Sequence, residues 1–350
     1  MVQVGETIEA ALGDWCFAGK ILITIPDATR PLDPIPPLDA LRARCPNITE
    51  TVIGLGLHRA MTPSELSTLR GFPIQQHDPD HVISTAVVDG IPGFVYKGVA
   101  KAEACLSVGI AELHQYAGLS GGHKGIAVGC GGRTTILALH HRDRIVQEGV
   151  RIGQIDGNPF RAAIDGLGAA AGCRWCLNYV PLLDKWFFGE PAAVLQEISR
   201  VIKPWFFVPK MFSGALLRVP PEKGVSFYQA SRAASYLALS PSPPVQRGGV
   251  LVLEAPMPEG LGSESGFVQA LSAVPPPWSS FLTGVPPTGP GSQRAVILAL
   301  LMQNYTLWLT GVKHPQIFHN IGLRATSDIV PPSKDWLVVE KPFSYLPQIR

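Results

Sequence analysis

The sequence predicts an α/β protein: two α/β domains with largely parallel sheets. Three observations carry that prediction. The chain has 350 residues, 46% of them hydrophobic, and single cores stop growing near about 250–300 residues. Short β-branched runs at Lys20–Ile25, Thr51–Leu55, Ser84–Val88 and Cys176–Val180 each end in a polar loop followed by a helical pattern, the alternation of a parallel sheet. Prolines crowd the stretch from Lys203 to Lys223 and mark the passage between domains, here placed at 1–209 and 210–350.

Taking the elements in order, His58 lies between a strand end and a helix start. Thr62 is the N-cap of that helix, Pro63 its first residue and Glu65 the third, the pattern of a capping box. In the second domain the spacing predicts a helix over Phe227–Leu239, a buried strand over Gly249–Glu254 and a helix over Gln293–Gln303. Pro275–Pro290 is rich in Pro, Gly and Ser without periodicity and reads as a surface loop. The apolar run from Ala295 towards Val312 is broken by Gln303, Asn304 and Thr306, short of the roughly 20 apolar residues a membrane span needs. It reads as a buried helix followed by a strand, with no membrane partner.

The chain carries 29 Lys and Arg against 27 Asp and Glu, a net charge of +2, with no basic run interleaved with aromatics, so nucleic acid is not an expected partner. Its start has no basic region followed by an apolar one and does not read as a secretory signal, which gives a cytoplasmic expectation. Six cysteines are too sparse for a disulfide scaffold. Cys173 and Cys176 form the one close pair, and without a second ligand pair they read as packed thiols rather than a redox or zinc site.

Ligands of open α/β sheets bind beyond the carboxyl ends of strands, which directs attention to Asp27, Arg30 and His58. Arg30 precedes Pro31 and is biased towards extended backbone. It suits a substrate carboxylate, or else pairs with Asp27 to close a turn. His58 follows Gly54-Leu-Gly-Leu, where it is either a proton-transfer group or a locally hydrogen-bonded loop residue. From His114 to Lys124 the chain reads HQYAGLSGGHK, with Ser120, Gly121 and Gly122 forming a bare turn suited to phosphate when it opens a helix. His140 follows sixteen residues after Lys124. No HExxH, GxGxxG or P-loop signature is present, so these residues alone leave the chemistry open, a plain zinc hydrolase included.

Taken in order, DATRP at 27–31, GLHR at 56–59, HQYAGLSGGHK at 114–124, TTILALH at 134–140, GNP at 157–159 and YQASR at 228–232 resemble the nickel-pincer-nucleotide lactate racemase family. The resemblance implies a racemase or epimerase of a 2-hydroxy acid, with an interdomain active-site cleft, working by reversible hydride transfer through a 2-keto acid. It implies nickel and a pyridinium-3,5-bisthiocarboxylic acid mononucleotide tethered to Lys124, with His140 as the protein's nickel ligand. By the same resemblance His58 and His114 are the acid/base pair, and Arg30 and Arg232 bind substrate. Asp27, Ser120, Gly121, Gly122, Tyr228 and Gln229 line the cofactor, which other proteins make and load.

The chain departs from the family pattern at several points. Arg232 stands where the family has lysine, which bears on substrate identity. A leucine precedes His58 where threonine is common. Gly189-Glu-Pro191 replaces an aspartate-containing segment, and the second domain is short. The alternative implied is a non-racemising member that stores the cofactor or uses its hydride in a net redox reaction.

Overall fold

The computed structural model describes residues 2–69, 71–202, 205–272, 278–343 and 345–349, with the backbone alone at 205 and 206. The chain divides into two compact units, one of residues 1–140 and 147–202, the other of residues 141–146 and 203–350. Each is α/β.

The strands of the first unit are β1 (Gln3–Gly5), β2 (Ile21–Pro26), β3 (Ile48–Gly54), β4 (Ile74–Gln76), β5 (Val82–Val88), β6 (Ile91–Tyr96), β7 (Ala104–Ile110), β8 (Leu113–His114), β9 (Gly118–Leu119), β10 (Cys173–Val180) and β11 (Lys185–Gly189). Seven of them form one sheet in the order β1-β11-β10-β7-β2-β3-β4. From β10 to β4 all neighbours are parallel, while β11 runs antiparallel to both β10 and β1.

Strand β2 is buried along Ile21–Ile25, as expected of a parallel strand covered on both faces. Its side chains alternate between two cores. Ile21, Ile23 and Ile25 pack with Leu106, Val108 and Leu177 on one side, and Leu22 packs with Val52, Cys105 and Ile126 on the other. The chain runs from β2 outward through β3 and β4, then returns to β7 on the other side of β2. That reversal is a topological switch point, where loops part beyond the strand ends and leave room for a ligand.

Two of the strand readings change. Ser84–Val88 belongs to β5, which pairs antiparallel with β6 in a separate two-stranded sheet. Asp89 and Gly90 have φ of 49° and 73° and form the two-residue turn that such dipeptides favour between hairpin strands. Cys176–Val180 is the end of a longer strand, β10, that turns back into antiparallel β11 instead of passing into a helix.

In the second unit, β12 (Trp205–Val208) pairs in parallel with β18 (Leu346–Ile349), and a five-stranded parallel sheet is formed by β13 (Phe212–Arg218), β14 (Val245–Glu254), β15 (Thr306–Thr310), β16 (Arg324–Ala325) and β17 (Trp336–Val339). The proline-rich stretch is therefore more regular than expected. Pro209 falls between β12 and β13, and Pro220 and Pro221 follow β13, so none interrupts a ladder. Helices occupy Phe227–Ala238 and Gln293–Met302, the latter buried almost throughout and leading to β15. Residues 275–277 of the expected loop lie outside the described residues, and Ser280–Thr283 forms a short helix. No helix among the described residues is long and apolar enough to cross a membrane.

All six cysteines are free thiols, and only Cys16 is exposed. Burial raises the thiol pKa of Cys45 to about 11 and of Cys105 to about 12, and it holds Cys173 and Cys176 well above the usual range. Because thiolate is the reactive form, titration of native protein with a chromogenic disulfide should release about one equivalent rapidly. Denaturation should release all six.

Candidate active site

The parallel strands β2, β3 and β7 deliver three loops to one edge of the sheet. Asp27 immediately follows β2, His58 follows β3 by four residues, and His114 lies beyond β7. Thus the switch point gathers residues that are widely spaced in sequence.

Asp27 is buried, and its Oδ2 lies 2.7 Å from Nδ1 of His58, whose side chain is 55% exposed. The other carboxylate oxygen accepts from the amide and hydroxyl of Thr29 at 3.0 and 2.5 Å. Burial alone would raise the Asp27 pKa, but the hydrogen bonds from His58 and Thr29 outweigh it and hold the carboxyl below its ordinary range. Among the described residues Asp27 makes no ion pair with Arg30; the turn between them is closed instead by the backbone N–H of Arg30, which donates to the Asp27 carbonyl at 3.1 Å. Arg59, the residue after His58, forms a two-pronged pair with Glu65 at 2.8 Å. Thr62 and Glu65 make the expected capping box.

The loop carrying His58 is seated by backbone contact. Gly56 has φ of 57° and donates its N–H to the Gly129 carbonyl at 2.8 Å. A Cβ on Gly54 would stand 3.1 Å from Gly129 backbone atoms. Gly129 ends the π-helical turn Gly125–Gly129, whose N-cap is Lys124. Such turns are rare and occur often at functional sites. The Gly121-Gly122 segment consequently does not open an ordinary helix, because the tight contact of Gly125 with Ser107, 2.0 Å from a Cβ to the hydroxyl, lays the turn directly on the sheet.

Gly121 and Gly122 have φ of 86° and 60°. The Gly122 N–H donates to Oδ1 of Asn178 at 2.9 Å, and a Cβ on Gly121 would lie 2.7 Å from the same oxygen. The Ser120 hydroxyl donates to the Ile110 carbonyl at 2.8 Å and accepts from the Glu112 N–H at 2.9 Å. These three residues brace the segment that presents Lys124.

His114 pairs with Gly118 in the β8–β9 hairpin. Its Nδ1 accepts from the amides of Tyr116 and Ala117 at 3.3 and 3.1 Å. The Tyr116 ring stands edge-on to both His114 and His140, with centroids 5.8 Å apart in each case. His140 caps the helix Arg133–Leu139 and packs against Phe160. Its Nδ1 lies 2.8 Å from the Ile136 carbonyl, which makes Nδ1 the protonated nitrogen and directs a lone pair through Nε2. Burial, opposed by that bond and helped by the nearby Lys124 charge, lowers the His140 pKa to about 4. His141 instead accepts from the Asp143 N–H at 3.4 Å as the N-cap of a short helix.

Several supporting residues escaped the sequence reading. Asn158 donates to the Tyr116 carbonyl at 2.7 Å, and Arg161 donates to the carbonyls of Ala117 and Leu119. Asp165 lies 3.3 Å from Arg161 and 3.0 Å from Nδ1 of the buried His123. The i, i+4 spacing of Arg161 and Asp165 and the polar Asn178 inside an apolar strand are the signals that pointed to them.

In the second unit Ser226 caps the helix Phe227–Ala238, which carries Tyr228, Gln229 and Arg232. Arg232 donates to Oε1 of Gln229 at 3.2 Å and to the Tyr236 hydroxyl at 2.8 Å, and its guanidinium lies over the Tyr236 and Phe343 rings. Tyr228 stands edge-on to Phe267.

Titratable groups lie beyond the carboxyl ends of a parallel sheet at a switch point, with a partly buried imidazole of lowered pKa near a lysine, the arrangement of an α/β enzyme. Residues 15–153 match the lactate racemase N-terminal domain family. The lactate racemase of Lactiplantibacillus plantarum is 25% identical over 355 aligned positions, covering 90% of this chain and 82% of that protein. The chain is thus similar to lactate racemases, in its N-terminal part by the family model and over most of its length by the curated relative. Its fold is shared with the lactate racemase apoprotein from Thermoanaerobacterium thermosaccharolyticum, with a TM-score of 0.80 at 20% identity over 95% of this chain and 87% of that one. A Thermotoga maritima protein has a TM-score of 0.71 at 16% identity over 97% and 96% of the two chains.

Asp27 supplies a pH test of the site's construction. Its pKa is lowered in the folded protein, so its stabilisation is complete above the unfolded value of about 3.9 and is lost as pH falls through the lower folded value. Asp27→Ala should cost about 1–3 kcal/mol at neutral pH. In urea unfolding across pH, that gap should hold down to about pH 4 and close below it.

Proposed function

We propose that this protein is a racemase or epimerase of a 2-hydroxy acid that works through a nickel-pincer nucleotide attached to Lys124. The observation that carries the proposal is the state of His140, a neutral imidazole with its Nδ1 engaged by the Ile136 carbonyl and Lys124 close by. That is the form in which histidine binds a metal through Nε2. Among the described residues no group of three or more His, Cys, Asp or Glu is arranged to hold a metal ion. A metal here needs most of its donors from a bound group, and a sulfur-rich pincer completed by one imidazole fits this donor set. A protein-only zinc centre does not.

When bound, this group supplies reversible acceptance of the substrate's C2 hydride, leaving a planar 2-keto acid. The remaining work belongs to the chain. Lys124 anchors the group from the head of the π-turn, on a segment braced by Ser120, Gly121 and Gly122, and His140 holds nickel. Arg30 binds the substrate carboxylate. His58 and His114 exchange the hydroxyl proton, and Asp27 holds His58. In the second unit Tyr228 and Gln229 serve the cofactor, while Arg232, already held by Gln229 and Tyr236, presents a planar two-pronged donor where the family has an ammonium. That favours a substrate with a further carboxylate or a bulkier polar group over lactate.

The test is to make holoprotein alongside the cofactor-biosynthesis proteins, supply single enantiomers of 2-hydroxy acids, and follow chirality. Inversion of at least one acid is expected; retained configuration across a broad panel with nickel present overturns the proposal, and accumulation of keto acid marks a net redox enzyme instead. Intact mass and peptide mapping should place a nucleotide-sized adduct on Lys124 that is absent from Lys124→Ala. His140→Ala should keep the adduct and lose nickel. His58→Ala and His114→Ala should each keep both and slow inversion by about 10²–10⁴-fold.

A further inference from the structure

We infer that the two acid/base histidines are held in opposite tautomers, so that in the resting protein His58 presents an unprotonated Nε2 and His114 presents an Nε2–H. The inference takes the roles of His58 and His114 from the proposed function, but the tautomers follow from the positions of their hydrogen-bond partners.

At His58 the partner of Nδ1 is a carboxylate oxygen of Asp27 at 2.7 Å. A carboxylate only accepts hydrogen bonds, so Nδ1 carries the proton. A neutral imidazole has a single N–H, and Nε2 is therefore a lone pair, on a side chain that is 55% exposed. At His114 the partners of Nδ1 are two backbone N–H groups, from Tyr116 at 3.3 Å and Ala117 at 3.1 Å. Backbone amides only donate, so Nδ1 is the acceptor and the ring proton sits on Nε2. The two rings thus have reversed polarity at Nε2.

The consequence is a division of labour. A substrate hydroxyl that meets His58 finds a base: the O–H bond breaks, its electron pair stays on oxygen, and the proton moves to Nε2. The imidazolium so formed keeps Nδ1–H on the Asp27 carboxylate, whose negative charge stabilises it. At His114, adding a proton to Nδ1 would place three N–H groups against one another. In this arrangement His114 is a neutral hydrogen-bond donor to a substrate oxygen, the state in which a neutral histidine polarises a carbonyl. It becomes a base only by releasing both amides. Asp27 is a positioning residue that acts through His58, and the β8–β9 hairpin does the corresponding work for His114.

The measurement is long-range ¹H–¹⁵N correlation on protein labelled in its histidine rings, without cofactor or substrate, at a pH where both rings are neutral. Signals are assigned with His58→Gln and His114→Gln. His58 should show Nδ1–H and His114 Nε2–H. Asp27→Asn retains an acceptor oxygen and should preserve the His58 pattern. Asp27→Ala removes it and should shift His58 to the Nε2–H form or a mixture while His114 stays unchanged, a selectivity that general loosening of the fold would not give. The same tautomer at both rings, or a His58 signal indifferent to Asp27→Ala, overturns the inference. Failure of holoprotein to invert any 2-hydroxy acid, with these tautomers observed, would remove the racemase reading and leave the tautomers standing.

Discussion

The contact on which the site depends is one between backbones, where Gly54 at the end of β3 meets Gly129 at the end of the π-turn. A side chain on Gly54 would crowd this contact, because its Cβ would sit 3.1 Å from Gly129, whereas one on Gly129 would sit 3.4 Å from Gly54, at ordinary contact distance. Glycine at 54 lets the main chains lie this close without strain. The Gly56 N–H then bonds to the Gly129 carbonyl, so the His58 loop and the turn headed by Lys124 form one piece. Gly125 likewise has no room for a Cβ, which would collide with the Ser107 hydroxyl on β7. The lysine segment therefore rests on the sheet through the small side chains of Ser107 and Thr24.

Polar residues behind the His114–Lys124 segment give it a second support. Arg161 is among the largest fully buried side chains, and a buried charge is tolerable only when it is paired and its donors are used. Asp165 and two main-chain carbonyls meet that requirement. The same carboxylate engages His123, and Asn158 and Asn178 hold the segment further along. Charge burial is here coupled to loop shape, which is how a functional group on a loop acquires the precision of one on a helix or strand.

Much of the fold was legible because its signals are local. Buried β-branched runs gave β2 and β3, and Thr62, Pro63 and Glu65 gave the helix start. Ser84–Val88 was misplaced because its pairing partner lies across a tight turn, and the Asp89-Gly90 signal for that turn was passed over. The ends of strands flagged Asp27, Arg30 and His58, but not which would pair with which. Asp27 joins His58, 31 residues away, through a parallel register that no local pattern encodes. The sequence likewise does not show that Asn178 arrives beneath the glycines at 121 and 122 and takes the Gly122 N–H. Long-range register decided each of these points.

The division of the chain has a consequence for anyone who would separate its parts. Residues 141–146 leave the first unit just after His140 and belong with the second. There Ile145 is buried and Arg142 donates to the Gly284 carbonyl. A truncation after residue 202 would strand this short helix, exposing Ile145 and freeing the peptide that follows His140. The complementary fragment would lack the piece that covers its own surface. His140 thus sits where the polypeptide crosses between the two units, and a cut after residue 202 cannot separate them without unseating the segment that follows it.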